Sequence, residues 1–145
     1  MAVDTFRGRL PAGLLYDPQT DMWVRGEADG SIVVGATSFG VFLAGEIISF
    51  TPKPVGAEVT AARGLGTVET GKTVLAVRAP VSLRILAVNE AAEMRPDLIN
   101  ADPYAAGWML RAVALDWDGE RPRLVAVEAY RRHCLAVDPG AVIVE

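Results

Sequence analysis

The chain has 145 residues, 51% hydrophobic and 22% charged, with a formal net charge of -4, which suits one folded domain and leaves too little length for two full-sized ones. The acidic balance gives no reason to expect a nucleic-acid partner, which would call for a basic surface. A single cysteine, Cys134, and a single histidine, His133, exclude an internal disulfide framework and leave no further soft ligand to complete a tetrahedral zinc site.

Residues 1–13, with Arg7 and Arg9, read as a loose N-terminal arm, and no apolar stretch of signal-peptide length follows them. Residues 14–17 and 22–25 read as two short strands around a turn at Pro18, with Trp23 as an apolar anchor. The turn Glu27-Ala28-Asp29-Gly30 precedes a β-rich run over 31–36. Residues 37–44 read as a short helix with Thr37 or Ser38 as its cap and Phe39, Phe42 and Leu43 on one side. A strand over 46–51 ends in the stiff turn Pro52-Lys53-Pro54-Val55-Gly56.

Residues 64–78 read as a hairpin. Leu65, Thr67 and Glu69 share one parity before Gly71-Lys72, and Val74, Leu75 and Val77 follow it, so Lys72 falls at or beside the bend. A further strand lies within 80–88, a helical turn broken by Pro96 within 90–99, a turn at 100–104 and an extended segment at 108–115. Over 124–135, Leu124, Val127, Tyr130 and Cys134 recur near the helical period. Pro139-Gly140 ends that helix, and Val142, Ile143 and Val144 make an apolar tail suited to a sheet edge or a partner. Every apolar run is cut by Gly, Pro or a charge before it reaches bilayer-spanning length, which with the lone cysteine gives a cytoplasmic reading with no membrane partner. The expected division is an arm over 1–13, a β domain over 14–123, a C-terminal helix over 124–138 packed on that domain, and a tail over 139–145.

Lysine is rare: Lys53 and Lys72 are the only two, against twelve arginines. An amine at a hairpin tip suits enzymatic acylation, because the turn fixes the backbone while the four-carbon stem leaves the nitrogen in solvent. Lys72 meets that description, with Gly71 relieving crowding and Glu69 as an acidic recognition feature, although a lysine beside glycine is ordinarily a solvated turn charge. Lys53, between two prolines, is also exposed, and geometry alone does not exclude it.

Trp23-Val24, Val34-Gly35, Pro54-Val55-Gly56, Thr67-Val68-Glu69-Thr70-Gly71-Lys72, Ala79-Pro80-Val81-Ser82, Val88-Asn89-Glu90, Pro96-Asp97-Leu98-Ile99-Asn100 and Asp102-Pro103-Tyr104-Ala105-Ala106-Gly107-Trp108 occur in one order across most of residues 14–115. Together they resemble the H protein of the glycine cleavage system. The resemblance implies a mainly β barrel-sandwich hybrid of two small sheets with short peripheral helices and a C-terminal helix, and a covalently bound lipoyl group on Lys72 that serves as a swinging arm. It implies a non-catalytic carrier served by lipoate attachment or assembly enzymes, with Glu69 in their recognition.

The chain also departs from the family. Thr73-Val74-Leu75-Ala76 replaces a small, polar stretch ending in aspartate, Leu83 replaces a glycine, Asp21 stands where a histidine or similar polar residue is frequent, and Gly71 stands where valine is common. Val74, Leu75, Ala76 and Leu83 are read as an altered docking surface. With the Thr-Pro-Lys-Pro-Val-Gly turn and the Glu-Thr-Gly-Lys tip, they look more like the H-like lipoate-binding proteins that work with a heterodisulfide-reductase-like complex in sulfur oxidation. The alternatives are a glycine cleavage H protein, whose arm carries an aminomethyl group from a glycine decarboxylase to an aminomethyltransferase and is reoxidised by dihydrolipoamide dehydrogenase, and an unmodified structural or regulatory domain. A biotin carrier is disfavoured because Lys72 lacks flanking methionines. A hydrolase is disfavoured because adjacent His133 and Cys134 point apart on a helix; Cys134 is expected as a packed hydrophobe and His133 at the surface or a hinge, with Asp102, Tyr104 and Trp108 as turn and core residues.

Overall fold

A computed structural model describes residues 4–144. Its elements, in chain order, are β1 (Arg7–Arg9), β2 (Leu15–Asp17), β3 (Met22–Gly26), β4 (Ile32–Ala36), α1 (Ser38–Ala44), β5 (Ile47–Pro52), β6 (Glu58–Val59), β7 (Gly64–Thr70) and β8 (Val74–Arg78). They continue as β9 (Leu83–Val88), α2 (Glu90–Met94), α3 (Asp97–Ala101), β10 (Leu110–Ala114), α4 (Trp117–Glu120), a 3-10 turn (Arg121–Arg123), α5 (Val127–Val137) and β11 (Val142–Val144). The chain is mainly β. A six-stranded sheet in the order β2-β3-β4-β10-β9-β6 faces a three-stranded sheet in the order β5-β7-β8, and β1 and β11 form a separate parallel pair.

Successive strand residues point to opposite faces, and β3 and β4 use both. Met22, Val24, Ile32, Val34 and Ala36 enter the core shared with the three-stranded sheet, where Phe50, Leu65, Val68 and Val77 meet Ile85 and Leu110. Trp23 and Val33 point the other way, into a second core with Phe6, Leu10, Tyr16, Phe39, Tyr130 and Cys134. Burial on both faces explains why residues 31–36 read as a continuous apolar run rather than an alternating one.

Three local readings change. Residues 6–10 do not form a loose arm: Phe6 and Leu10 are buried, and β1 pairs in parallel with β11 at Arg7–Val142, Gly8–Ile143 and Arg9–Val144. The apolar C-terminal segment thus finds its strand partner within the chain. The C-terminal helix begins at Val127, because Leu124 is extended and the Val125 N–H and C=O exchange hydrogen bonds with Tyr16, both at 2.8 Å. The helix α4 and strand β6 had no local signal strong enough to draw them from the sequence. In α1, Thr37 is the cap, its hydroxyl accepting the Gly40 N–H at 2.9 Å.

The second core depends on the close approach of Trp23 to Gly35, where a Cβ would lie 2.7 Å from the indole ring. The ring cannot retreat, being fully buried with its Nε1–H donating to the Pro103 carbonyl at 3.1 Å. Gly35→Ala should therefore destabilise the protein by about 1–3 kcal/mol in urea unfolding, while Gly26→Ala, with nothing within 4 Å of the added carbon, should leave the midpoint within error of wild type.

Candidate functional site

The hairpin β7–β8 carries Lys72 at its bend. Glu69 pairs with Val74, and the Thr70 N–H donates to the Thr73 carbonyl at 2.9 Å, so Gly71 and Lys72 span the turn. The Lys72 N–H reaches the Thr70 hydroxyl at 3.3 Å, and the Lys72 side chain is exposed. Lys53 is exposed too, but at the opposite end of β7: its N–H donates to Leu65 next to the Pro52–Gly66 pair, whereas Ile47–Thr70 marks the end near the bend. Glu69 faces solvent three residues before Lys72.

The single parity assigned to Leu65, Thr67 and Glu69 is broken by an irregularity between Gly64 and Gly66. Leu65, Val68 and Thr70 are buried, and Thr67 and Glu69 face out. Gly71 relieves no crowding, since an added Cβ meets nothing within 4 Å and its φ is not positive. On β8 only Val77 is buried, so Val74, Leu75 and Ala76 form an exposed apolar flank. Leu83 is not part of that surface; it is fully buried in the core, pairing with Val59 and Ala114.

Two sequence motifs supply structural bonds rather than chemistry, and one of them supports the strand beside this hairpin. Asn100, at the end of α3, uses its amide as a substitute strand partner: Oδ1 accepts the Ile47 N–H at 2.9 Å and Nδ2 donates to the Ile47 carbonyl at 2.8 Å. This satisfies the start of β5, which pairs with β7 at Thr70. Asn89 donates to the carbonyls of Ala106 and Trp108 at 2.8 and 2.7 Å. Tyr104 receives the Ser38 N–H at 2.9 Å and donates to the Arg9 carbonyl at 2.8 Å. Asp102, Tyr104 and Trp108 are thus turn and packing residues.

A groove of about 290 Å³ runs beside the hairpin. One wall is β8, from Leu75 to Arg78; the other is the β2–β3 turn with Asp21 and the inner face of α1 with Val41 and Leu43. Asp21 adopts a φ of 56°, the left-handed region that aspartate, asparagine and histidine tolerate best among residues with a side chain. Its Oδ1 accepts the Tyr130 hydroxyl at 2.8 Å and lies 3.3 Å from His133 Nε2. Burial pushes the Asp21 carboxyl above the usual carboxylate range, and the Tyr130 and His133 donors oppose that shift. His133 is therefore neither a free surface residue nor a hinge, but a half-buried link from α5 to the groove. Sequence reasoning missed it because the partners lie 112 residues apart. Cys134 is fully buried, and burial pushes its thiol up to about 12, which removes the thiolate a nucleophile needs.

The β7–β8 hairpin thus presents an exposed lysine at its bend, a placement that suits a covalently modified carrier. The family model for the glycine cleavage H-protein matches residues 14–136. The chain is 38% identical over 122 residues to the glycine cleavage system H protein of Aeromonas hydrophila, covering 84% of this chain and 93% of that one. It is 34% identical over 126 residues to the H protein of Mycolicibacterium vanbaalenii, covering 86% and 95%. The crystal structure of a glycine cleavage system H protein from Mycobacterium marinum superposes with a TM-score of 0.74 at 32% identity, covering 85% of this chain and 97% of that one. The chain belongs to the glycine cleavage H-protein family; it is a non-catalytic carrier whose cofactor is covalently bound lipoate.

Asn100→Ala should cost about 1–3 kcal/mol, because the buried Ile47 N–H and C=O lose their partners together. Hydrogen exchange should quicken at Ile47, whose N–H the Asn100 side chain accepts, more than at Val24.

Proposed function

We propose that the lipoyl group is attached to Lys72 through an amide, and that the chain serves as the H protein of a glycine cleavage system. The observation that carries the attachment site is the placement of the Lys72 amine at the bend of β7–β8, clear of every buried side chain. When bound, the lipoyl dithiolane supplies two-electron redox chemistry and a thiol that accepts a transferred group. The protein's own part is presentation. Acylation removes the Lys72 charge, and the β7–β8 pairing keeps the tether's root fixed while its free end searches a docked partner, which raises local concentration. The groove beside β8 offers apolar lining against which that tether can lie, Leu75 and Val41 among it. The exposure of Glu69 on β7, three residues before Lys72, supports a role for it in recognition by the attachment or assembly enzyme.

The relatives described above are all named glycine cleavage system H proteins, which favours glycine decarboxylase, aminomethyltransferase and dihydrolipoamide dehydrogenase as partners. The preference for sulfur oxidation with a heterodisulfide-reductase-like complex has less behind it. It drew on the Thr-Pro-Lys-Pro-Val-Gly turn, the Glu-Thr-Gly-Lys tip and four residues read as one docking surface, of which Leu83 lies in the core, leaving Val74, Leu75 and Ala76. No helix among the described residues is long and apolar enough to cross a membrane; the cytoplasmic reading rests on the lone cysteine and on the interruption of every apolar run by Gly, Pro or a charge.

Co-expression with a lipoylating system should give a wild-type chain with one lipoyl group on the peptide containing Lys72. Lys72→Arg should keep the fold and lose the lipoyl mass entirely, because a guanidinium forms no stable amide of this kind, while Lys53→Arg should remain fully modified. Intact-mass measurement followed by peptide mapping decides the matter, and lipoyl mass persisting in Lys72→Arg would reject the site.

A further inference from the structure

We infer that Thr70 is a positioning residue for the modification of Lys72: its buried hydroxyl straps the bend of β7–β8 and holds the lysine backbone in one orientation for the attachment enzyme. That role rests on the reading of Lys72 as the lipoylated residue; the strap itself belongs to the unmodified chain.

Gly71 and Lys72 are the two central residues of the bend. Two-residue hairpin bends are ordinarily held by a type I′ or II′ turn, which places at least one central residue at positive φ. Neither Gly71 nor Lys72 has a positive φ, and among the described residues no backbone bond closes the turn from the Thr73 N–H to the Thr70 carbonyl. The backbone bond that is present runs the other way, from the Thr70 N–H to the Thr73 carbonyl at 2.9 Å; it joins the strand ends and leaves the two central residues unheld. Gly71 adds to their freedom, because a residue without Cβ has the widest choice of φ and ψ. The Thr70 hydroxyl fills this gap. It accepts the Lys72 N–H at 3.3 Å and donates to the Thr73 carbonyl at 3.4 Å, so one side chain grips the backbone on either side of the Lys72 Cα.

A strap works only if its own root is fixed. Thr70 is 4% exposed, although Gly71 and Lys72, which follow it, are both exposed. It pairs with Ile47 on β5, whose N–H and C=O are both held by the Asn100 amide. Gly45, the C-cap of α1, lies so close that an added Cβ would come 4.0 Å from the Thr70 Cβ, and the β-branch leaves the side chain few χ1 choices. Thr73, on the other side of Lys72, is the contrast: it is exposed, and its hydroxyl reaches only the carbonyl of Val74, its own neighbour, at 3.4 Å. In attachment, the neutral Lys72 amine attacks the carbonyl carbon of an activated lipoyl acyl donor. An N–C bond forms, the donor's leaving group departs with the electrons of the broken bond, and the amine's displaced proton passes to solvent. The enzyme must receive Nζ at the end of an ordered stem, so an unstrapped bend has to be ordered at docking, a cost that weakens binding rather than slows the chemistry.

The test compares the full wild-type chain with Thr70→Val, which keeps the branch and the burial but loses the hydroxyl, with Thr70→Ser, which restores it, and with Thr73→Val. Urea midpoints first establish that each is folded under the assay conditions. In the unmodified proteins, amide hydrogen exchange at Lys72, corrected for intrinsic rate, should quicken about threefold in Thr70→Val and keep its wild-type value in Thr70→Ser and Thr73→Val. With a lipoate attachment enzyme, lipoate and ATP, the KM for Thr70→Val should rise about fivefold, the scale of one hydrogen bond, with kcat unchanged, while Thr70→Ser and Thr73→Val match wild type. Unchanged Lys72 exchange in Thr70→Val would remove the strap. Faster exchange with an unaltered KM, or an equal loss in Thr73→Val, would overturn the positioning role. A wild type left unmodified at Lys72 overturns that role together with the carrier reading, and the exchange at Lys72 then judges the strap alone. Thr70→Ala gives the same comparison should Thr70→Val fail to fold.

Discussion

Everything in this structure hangs on two strands that must bury both faces. β3 and β4 send alternate residues into separate cores, so neither strand can move without disturbing packing on both sides of the six-stranded sheet. Close-packed interiors tolerate little displacement, and the approach of Trp23 to Gly35 leaves none at the centre. The three-stranded sheet rests on one of these cores, while the second core ties α1, α5 and the β1–β11 pair to the back of the same strands. The lysine-bearing hairpin is thus an extension of a frame fixed from behind.

That frame explains where freedom begins. Burial along β7 continues to Thr70, but along β8 it ends at Val77, three residues after the strand starts. Beyond those points the chain contributes backbone pairing and little else, so an acyl group on Lys72 displaces no core atom and costs no folding energy. The exposed Val74, Leu75 and Ala76 lose water only when something packs on them, whether tether or partner. Shape and polarity along that flank are therefore constrained less by the core than those of β7.

The strands, the α1 cap and the hairpin were legible because each is written in adjacent residues: alternation, a threonine before an apolar helix face, a glycine between two β runs. The motifs between residues 14 and 115 were legible as a pattern but not as physics. Nothing in the local sequence says that Asn100 completes β5, or that Gly35 faces an indole. The errors fall where distant segments meet. Residues 6–10 looked unanchored because β11, their partner, lies more than a hundred residues on. Leu83 looked like surface because its strand is covered by a sheet from elsewhere in the chain. The parity of Leu65 failed because an irregularity in pairing is a property of two strands, not of one.

The polar cluster at the groove shows why such distant pairings are worth the burial they require. An unpaired aspartate at this depth would be costly, and the turn at Asp21 also accepts a left-handed backbone. The position is tolerated because Tyr130 and His133, on one helix, meet its carboxylate, and the Thr37 N–H, at the cap of another, donates to its carbonyl. Because Tyr130 keeps its proton at any ordinary pH, its bond is constant and holds the helix in register. His133 adds a second contact to the same oxygen, at 3.3 Å. One part-buried network thus links α5 to Asp21, and through Asp21 to the groove that β8 also lines.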